Sequence, residues 1–193
     1  MSEATVIALG FFDGVHLGHG ALLRRAAEEA KARGVRSAVF TFAQPPKEVV
    51  TGRPVGLINT PDDRRDLMQR LYGIRQVIIA PFDRAMMTMP WQDFIDDLLI
   101  GTYGAVHLVA GHDHHFGHKN QGSPELLMEK CRELGLGCDI IPKVEVGGIT
   151  VSSTYIRRLV EMGQLERANR FLGHPHVLTG TVRHGRGLGS SRL

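Results

Sequence analysis

Short apolar runs alternate with longer amphipathic stretches along most of the chain. Five of the runs are rich in β-branched residues and are bounded by polar residues or glycine, which predicts strands at 5–8, 37–42, 76–80, 105–110 and 138–141. The stretches between them place apolar residues three or four positions apart, which predicts helices. Because strands that alternate with helices are typical of βαβ units, the sequence predicts an α/β fold with a parallel sheet flanked by helices.

The predicted helices carry start and stop signals. The first helix is expected at 18–33, with Gly34 placed to close it. The second is expected to follow Thr60 as its N-cap, with Pro61 in the first helical position and Gly73 beyond its end. Two further helices are predicted at 90–100 and 124–135.

The pattern changes after the fifth predicted strand. The elements predicted there are a hairpin at 144–151, helices at 153–162 and 165–172, and a strand at 177–183. Gly147 and Gly148 suit the tight turn of the hairpin. Since the last strand has no later strand to pair with, we expect one domain at residues 1–172 and, at 173–193, the truncated start of a second domain.

The composition indicates which kind of partner and which cellular compartment to expect. The 193 residues include 23 basic and 20 acidic side chains, and this near balance without a basic run favours small anions over nucleic acid as partners. Cys131 and Cys138 fit neither a zinc knuckle nor a redox pair, and no apolar run approaches the ~20 residues of a membrane span. We expect a cytoplasmic protein with no membrane partner, whose oligomeric state the sequence does not predict.

The segment at residues 10–19, GFFDGVHLGH, lies where the first strand turns into the first helix. In a doubly wound sheet, ligands bind at the carboxyl ends of the strands, where helix N-termini offer N–H groups to phosphate. His16 and His19 can donate hydrogen bonds to one anion, as nucleotidyl transfer requires when charge builds on the α-phosphate. A tight turn with two surface histidines is the alternative. The glycines that let the backbone approach a ligand are Gly10, Gly14 and Gly18.

A second segment, VSSTYIR at residues 151–157, is expected to lead from a strand into another helix N-terminus. Ser153 or Thr154 could serve only as the N-cap of that helix. Arg157 lies one turn further on and adds a cation that could reach a β- or γ-phosphate. Together the two segments predict two helix N-termini that bind one triphosphate.

These segments resemble the signatures of a known family. GFFDGVHLGH resembles the G-x-F-D-G-V-H-x-G-H signature of bacterial FAD synthetases, the bifunctional riboflavin kinase/FMN adenylyltransferases, and VSSTYIR resembles their S-S-T-x-I-R motif. Shorter matches follow in the same order: Thr41-Phe42 with Pro46, Pro81-Phe82-Asp83, and Leu172-Gly173-His174-Pro175. The resemblance covers nearly the whole chain and implies a Rossmann-like HxGH nucleotidyltransferase fold.

The same resemblance implies an FMN adenylyltransferase, which transfers AMP from ATP to FMN and releases FAD and pyrophosphate. It implies catalytic roles for His16, His19 and Arg157. The residues implied to contact the nucleotides are Gly10, Phe11, Phe12, Asp13, Gly14, Gly18, Ser153 and Thr154, with Thr41, Phe42, Pro46, Gly111 and Asp113 on the flavin or adenine side. The truncated second domain would be a riboflavin kinase β-barrel, so riboflavin kinase activity is expected to be absent.

Magnesium is expected with ATP on charge grounds, held mostly by water and phosphate, and no protein metal site is expected. The histidines at residues 112, 114, 115 and 118 nevertheless suggest two alternatives to a solvated loop, a metal cage or a loop that contacts the nucleotide. The sequence departs from the family pattern here, because His114 replaces the usual aromatic residue and Asn120 a common arginine. Trp91 and the methionines at 86, 87 and 89 are interpreted as packing residues.

Two rival functions remain open at this stage. One is another HxGH nucleotidyltransferase, acting on pantetheine phosphate, nicotinamide mononucleotide or glycerol phosphate. The other is a noncatalytic flavin- or metal-binding module built on the same scaffold. The F-D-G-V-H form of the first motif argues against the first rival, and only the histidine-rich loop supports the second.

Overall fold

The computed structural model describes residues 3–183. Its centre is a parallel sheet of five strands in the order β3-β2-β1-β4-β5. The strands are β1 Thr5–Leu9, β2 Arg36–Phe42, β3 Gln76–Ala80, β4 Ala105–Gly111 and β5 Gly137–Ile141. A hairpin of β6 Glu145–Val146 and β7 Ile149–Thr150 follows. The α/β class, the five strands and the hairpin are confirmed.

Helices cover both faces of the sheet. They are α1 Leu17–Arg33, α2 Pro46–Thr51, α3 Pro61–Tyr72, α4 Arg84–Thr88, α5 Trp91–Asp93, α6 Pro124–Glu133, α7 Ser153–Glu161 and α8 Leu165–Leu172. Because alternate strand residues point to opposite faces, Val6 and Ala8 pack with α1 and α3, whereas Ile7 and Leu9 join the core on the other face. A third cluster joins α7 and α8 to Ile58.

The helix signals predicted from the sequence are present. Thr60 accepts a hydrogen bond from the backbone N–H of Asp63, and the Asp63 carboxylate bonds back to Thr60, which forms a capping box at the start of α3. Gly34 and Gly73 close α1 and α3 in the left-handed conformation, with φ of 67° and 65°. These local contacts fix where the two helices begin and end.

The structure corrects two expectations about secondary structure and contains short helices that were not expected. The helix predicted at 90–100 is α-helical only over Trp91–Asp93 and continues as a π-helix, Phe94–Thr102. Both windings can bury an apolar stripe, so the apolar pattern did not distinguish them. The short helices α2 and α4 were not predicted. The strand predicted at 177–183 is wrong, since residues 177–183 pair with no strand in the described chain and their backbone is irregular.

Across residues 3–183, no helix combines the length and the apolar character needed to cross a membrane.

Candidate active site

A large cavity opens at the carboxyl ends of the strands, where the strand order changes from one side of β1 to the other. Strand β1 pairs with β2 on one side and with β4 on the other, so the loops after β1 and β4 diverge at the carboxyl ends of the strands. A cavity of about 620 Å³ lies between these loops and the start of α7. The predicted site residues that line it are Gly10, Phe11, His16, Gly18, His19, Gly111, Asp113, Ser153 and Thr154.

The turn between β1 and α1 has an unusual backbone. Phe12 and Val15 are left-handed, with φ of 58° and 43°, a conformation that large side chains rarely adopt. Gly14 is also left-handed, and a Cβ atom there would lie 2.9 Å from an isoleucine side chain. A Cβ atom on Gly18 would lie 3.1 Å from the ring of His16. Gly18 therefore lets the turn fold closely around the histidine, and Gly14 lets it pack closely against the isoleucine.

His16 and His19 form a stacked pair at the start of α1. Their ring centroids are 3.6 Å apart and the planes differ by 11°. Nδ1 of His16 accepts a hydrogen bond of 3.2 Å from the backbone N–H of His19, which makes His16 the N-cap of the helix. Since Nδ1 is an acceptor, the proton of the neutral ring belongs on Nε2. The alternative of two surface histidines is wrong, because both rings are largely buried.

Burial also keeps both rings uncharged. It lowers the pKa of His16 from 6.5 to about 4, although nearby Asp113 acts in the opposite direction. Burial is likewise the main reason that the pKa of His19 lies well below its usual value, and the neighbouring His16 ring and the Arg64 guanidinium lower it further. Near pH 7 the pair therefore offers neutral N–H donors rather than cations.

The start of α7 forms the opposite wall of the cavity. Ser152 caps this helix by accepting a hydrogen bond from the N–H of Tyr155. The alternative in which Ser153 or Thr154 acts only as the N-cap is therefore wrong. The hydroxyl of Ser153 donates to the carbonyl oxygen of Asp13 at 2.8 Å, which ties the two helix starts together. As a result, two helix N-termini face one cavity, an arrangement that attracts anions.

Asp13 and Arg157 lie behind the cavity wall and bind each other. The carboxylate of Asp13 is buried, with 1% of the residue exposed, and accepts a 2.9 Å hydrogen bond from Nη2 of Arg157. The same carboxylate accepts the backbone N–H groups of Ile58 and Asn59. Neither Asp13 nor Arg157 belongs to the cavity lining, and the same is true of Phe12, Gly14 and Thr41.

Arg64 supports the site although the sequence analysis did not single it out. Its side chain is fully buried in α3 and donates to the carbonyl oxygens of Phe11 and Phe42, the latter at 2.9 Å. The guanidinium also lies 4.5 Å from the ring centroid of Phe11. Arg64 shares a helical face with the buried Leu67 and Met68, and this spacing was the signal available in the sequence.

A second, aromatic cavity adjoins the first. Its volume is about 180 Å³, and Phe42, Pro46, Phe82 and Phe116 contribute to its walls. Thr41 lies behind it and donates a 2.8 Å hydrogen bond to the carbonyl oxygen of Phe11. The methionines at positions 86 and 89 line this cavity. They also pack against the apolar core together with Trp91, which contacts Phe116, as the packing interpretation predicts.

The four histidines of the loop after β4 differ in which cavity they line. His112 lines the large cavity, and His114 and His115 line both cavities. His118 lies outside both linings, where its Nδ1 contacts the carbonyl oxygen of Met87 at 3.2 Å. Within residues 3–183, no group of three or more His, Cys, Asp or Glu side chains is arranged to hold a metal ion.

The segment after α8 packs against the turn that carries His16. His174 is buried, and its Nε2 donates to the carbonyl oxygen of Gly14 at 3.1 Å. His176 and Val177 make further hydrogen bonds to Ile58 and Asn59. One of these contacts uses the carbonyl oxygen of Val177, which accepts a hydrogen bond from the side chain of Asn59. Nothing in the sequence pattern indicated that this segment supports the site.

The cavity offers few oxygen ligands for a magnesium ion. Among its described lining residues, Asp113 is the one carboxylate, and the hydroxyls of Ser153 and Thr154 lie in the same lining. Mg²⁺ commonly keeps several waters and binds phosphates through only one or two protein carboxylates. The residues present therefore fit a magnesium ion carried by a nucleotide rather than a dedicated metal cage.

The sequence and structure are similar to those of several known proteins. The chain is 35% identical over 182 residues to a bifunctional riboflavin kinase/FMN adenylyltransferase of Listeria monocytogenes, with 93% of this chain and 57% of the relative covered. It is 33% identical to the protein of the same description from Escherichia coli K12, with 97% and 60% covered. The chain thus spans less than two thirds of these relatives.

Two further similarities extend the comparison. A protein described as FAD synthetase from Listeria monocytogenes is 29% identical, with 95% of this chain and 74% of the relative covered. A crystal structure described as a macrolide-efflux protein from Streptococcus pneumoniae superposes with a TM-score of 0.84 at 28% identity, covering 99% of this chain and 62% of the other. The family model for FAD synthetase matches residues 1–155, and the relatives extend the match over almost the whole chain. The protein therefore belongs to the FAD synthetase family.

Proposed function

We propose that this protein is an FMN adenylyltransferase, which transfers AMP from ATP to FMN. An oxygen of the FMN phosphate attacks the α-phosphorus of ATP, the bond from that phosphorus to the β-phosphate oxygen breaks, and FAD and pyrophosphate leave. The observation that carries the proposal is the neutral, stacked pair of His16 and His19 at a helix start inside the large cavity. Such donors stabilise the charge that develops on the α-phosphate.

The two adjoining cavities suit the two substrates. The large cavity has histidines, hydroxyls and two helix N-termini, which suits the phosphates of ATP. The smaller cavity is walled by phenylalanine and methionine side chains, which suits a flat isoalloxazine ring. The cavities share Gly10 and Phe11, so a flavin phosphate could reach the α-phosphate across that boundary.

The chemistry asks for no protein base. The attacking oxygen belongs to a phosphate that is already ionised near pH 7, so catalysis depends on position and on hydrogen-bond donors. The N–H groups of His16 and His19 would serve the α-phosphate, where donation grows stronger as negative charge accumulates. A magnesium ion held by Asp113 and the phosphates would supply charge neutralisation.

Ser153, Thr154 and Arg157 are assigned to the pyrophosphate end of ATP. Ser153 and Thr154 already line the cavity at the start of α7. Arg157 is bound to Asp13 without ligand, so its contact with a β- or γ-phosphate would require the guanidinium to exchange one anionic partner for another. The remaining assigned residues, Phe12, Asp13, Gly14 and Thr41, would act by holding the turn and Phe11 in place.

The domain division is part of the proposal. Residues 1–172 would form the transferase domain, and residues 173–193 would lead towards a riboflavin kinase barrel of the kind implied by the bifunctional relatives. Residues 174–179 also pack against the transferase domain, so this stretch would serve as its final support. Riboflavin kinase activity is not expected of residues 1–193 alone.

FAD formation is the direct test. The protein is incubated with ATP, magnesium and FMN, and the products are separated by chromatography. We expect FAD and pyrophosphate in equal amounts. Parallel reactions replace FMN with pantetheine phosphate, nicotinamide mononucleotide or glycerol phosphate. Adenylylation of one of these compounds without FAD formation would favour the rival transferase, and flavin binding without any transfer would favour the noncatalytic module.

A further inference from the structure

One imidazole in the wall between the two cavities has no hydrogen-bond partner. His114 lines both the large cavity and the aromatic cavity. Its Nε2 atom is buried and unpartnered, and none of the side-chain hydrogen bonds within residues 3–183 involves its ring. Because buried polar groups in proteins are nearly always paired, an unpaired one in a ligand cavity indicates that a ligand supplies the missing partner.

The ring is nevertheless held in one plane. It stacks on Phe116 with ring centroids 5.6 Å apart and planes that differ by 18°. Phe116 is itself buried, and its backbone forms a two-way bridge with Gly122. A half-turn about the bond between Cβ and Cγ of His114 would exchange nitrogen and carbon positions and keep the ring on Phe116. The ring can therefore turn a nitrogen towards a ligand without losing its packing.

The chemistry of the imidazole ring narrows the kind of ligand group that suits this position. The neutral ring has one N–H donor and one acceptor nitrogen. A phosphate that is fully ionised can only accept, whereas a hydroxyl group both donates and accepts. The neutral ring thus matches a hydroxyl in either orientation.

We propose that His114 is a specificity-determining residue that hydrogen-bonds a hydroxyl of the ribityl chain of FMN. This proposal rests on the proposed function. With the isoalloxazine ring in the aromatic cavity and the phosphate near His16 and His19, the ribityl chain would run along the wall that the cavities share. The other residues of that wall are Leu9, Gly10, Phe11, His115 and Asn120.

The experiment separates the ribityl chain of the flavin from its phosphate. Binding of FMN, of riboflavin, which lacks the phosphate, and of lumiflavin, which lacks both the phosphate and the ribityl chain, is measured by the quenching of flavin fluorescence for the wild-type protein and for His114→Phe. The phenylalanine keeps the flat ring on Phe116 and removes both nitrogens. We expect FMN and riboflavin to bind about 5- to 10-fold more weakly, as for the loss of one hydrogen bond, and lumiflavin affinity to change less than about twofold.

Two further variants make the result decisive. His114→Gln keeps a donor and an acceptor and is expected to retain more FMN affinity than His114→Phe. His118→Phe removes an imidazole from the same loop outside both cavities and is expected to leave the affinities for all three flavins unchanged. Thermal unfolding without ligand shows that each variant is folded, and the midpoint of His114→Phe is expected to be no lower than that of the wild type.

The outcomes separate this proposal from the function on which it rests. Unchanged affinity for FMN and riboflavin in folded His114→Phe would overturn the role of His114. An equal weakening for all three flavins would overturn it too, and so would a loss confined to FMN, which would point to the phosphate instead. Each of these results leaves wild-type FAD formation intact. A wild-type protein that neither binds FMN nor forms FAD would overturn the proposed function, and this proposal with it.

Discussion

The two groups of histidines beside the large cavity differ in how firmly the protein holds them. His16 and His19 stack on each other, and a backbone N–H fixes the orientation of His16. His112 and His115 extend from the loop after β4, where both are exposed and the Nδ1 atom of His115 contacts only the carbonyl oxygen of Asp113. Mutual stacking, burial and the backbone contact to His16, rather than the number of histidines, therefore distinguish the pair that we propose for catalysis.

Removal of His19 tests the firmly held pair and should have the largest effect. If its ring donates to the α-phosphate in the transition state, His19→Ala should lower kcat for FAD formation by about 10²–10³ and change ATP affinity much less. Single-turnover kinetics at saturating ATP measure the chemical step. A variant that keeps more than half of the wild-type rate, with chemistry limiting, would exclude His19 from the mechanism.

Substitution of Arg157 tests which end of the site binds the β- and γ-phosphates of ATP. Arg157→Lys replaces a planar fork with a point charge, so we expect ATP to bind about tenfold more weakly and FMN binding to change little. Isothermal titration calorimetry with each substrate alone makes the comparison. Lost FMN affinity with unchanged ATP affinity would mean that the two substrates occupy the opposite ends of the site.

The burial of His16 predicts a dependence of stability on pH. The pKa of His16 is about 4 in the folded protein and 6.5 for the free side chain, so the unfolded chain takes up this proton first as pH falls. The contribution of His16 is therefore fully present above pH 6.5 and is lost between 6.5 and 4. Urea unfolding at several pH values should show a smaller loss across this range for His16→Gln. An identical pH dependence in both proteins would contradict the burial argument.

Substitution of His118, in the loop after β4, should have the smallest effect. His118→Ala is expected to change FAD formation by less than about twofold, because the substitution lies outside both cavities and such positions usually alter free energies by ~0.5 kcal/mol or less. Treatment with a strong chelator followed by magnesium should restore full activity. Stoichiometric zinc by elemental analysis, together with permanent inactivation by the chelator, would instead support a metal site in this loop.

Much of the fold could be predicted because its signals are local. Thr60, Pro61 and Gly73 define α3 through contacts within a few residues, and the apolar runs define the strands of the parallel sheet. The prediction of a strand at 177–183 was wrong because a strand depends on contacts with distant parts of the chain. A strand requires a partner, and alternation in one segment cannot reveal that residues 174–177 instead bond to Gly14, Ile58 and Asn59.

The same difference between local and distant contacts decides which features of the candidate site could be predicted. His16 and His19 were predictable because the motif and the helix that orients it are contiguous in the sequence. Arg64 and His174 were not singled out as supports, because their roles depend on carbonyl oxygens 53 and 160 residues away. The pairing of Asp13 with Arg157 spans 144 residues, and only the structure brings the two together.

The most direct measurement of the central claim is a double-mutant cycle on the stacked pair. Wild-type protein, His16→Asn, His19→Ala and the double variant are compared by single-turnover FAD formation with ATP labelled at the α-phosphate. We predict that the label appears in FAD and that the double variant loses much less rate than the product of the two single losses, because both rings serve one phosphate as a unit. A double variant that transfers the label at the wild-type rate would contradict the account.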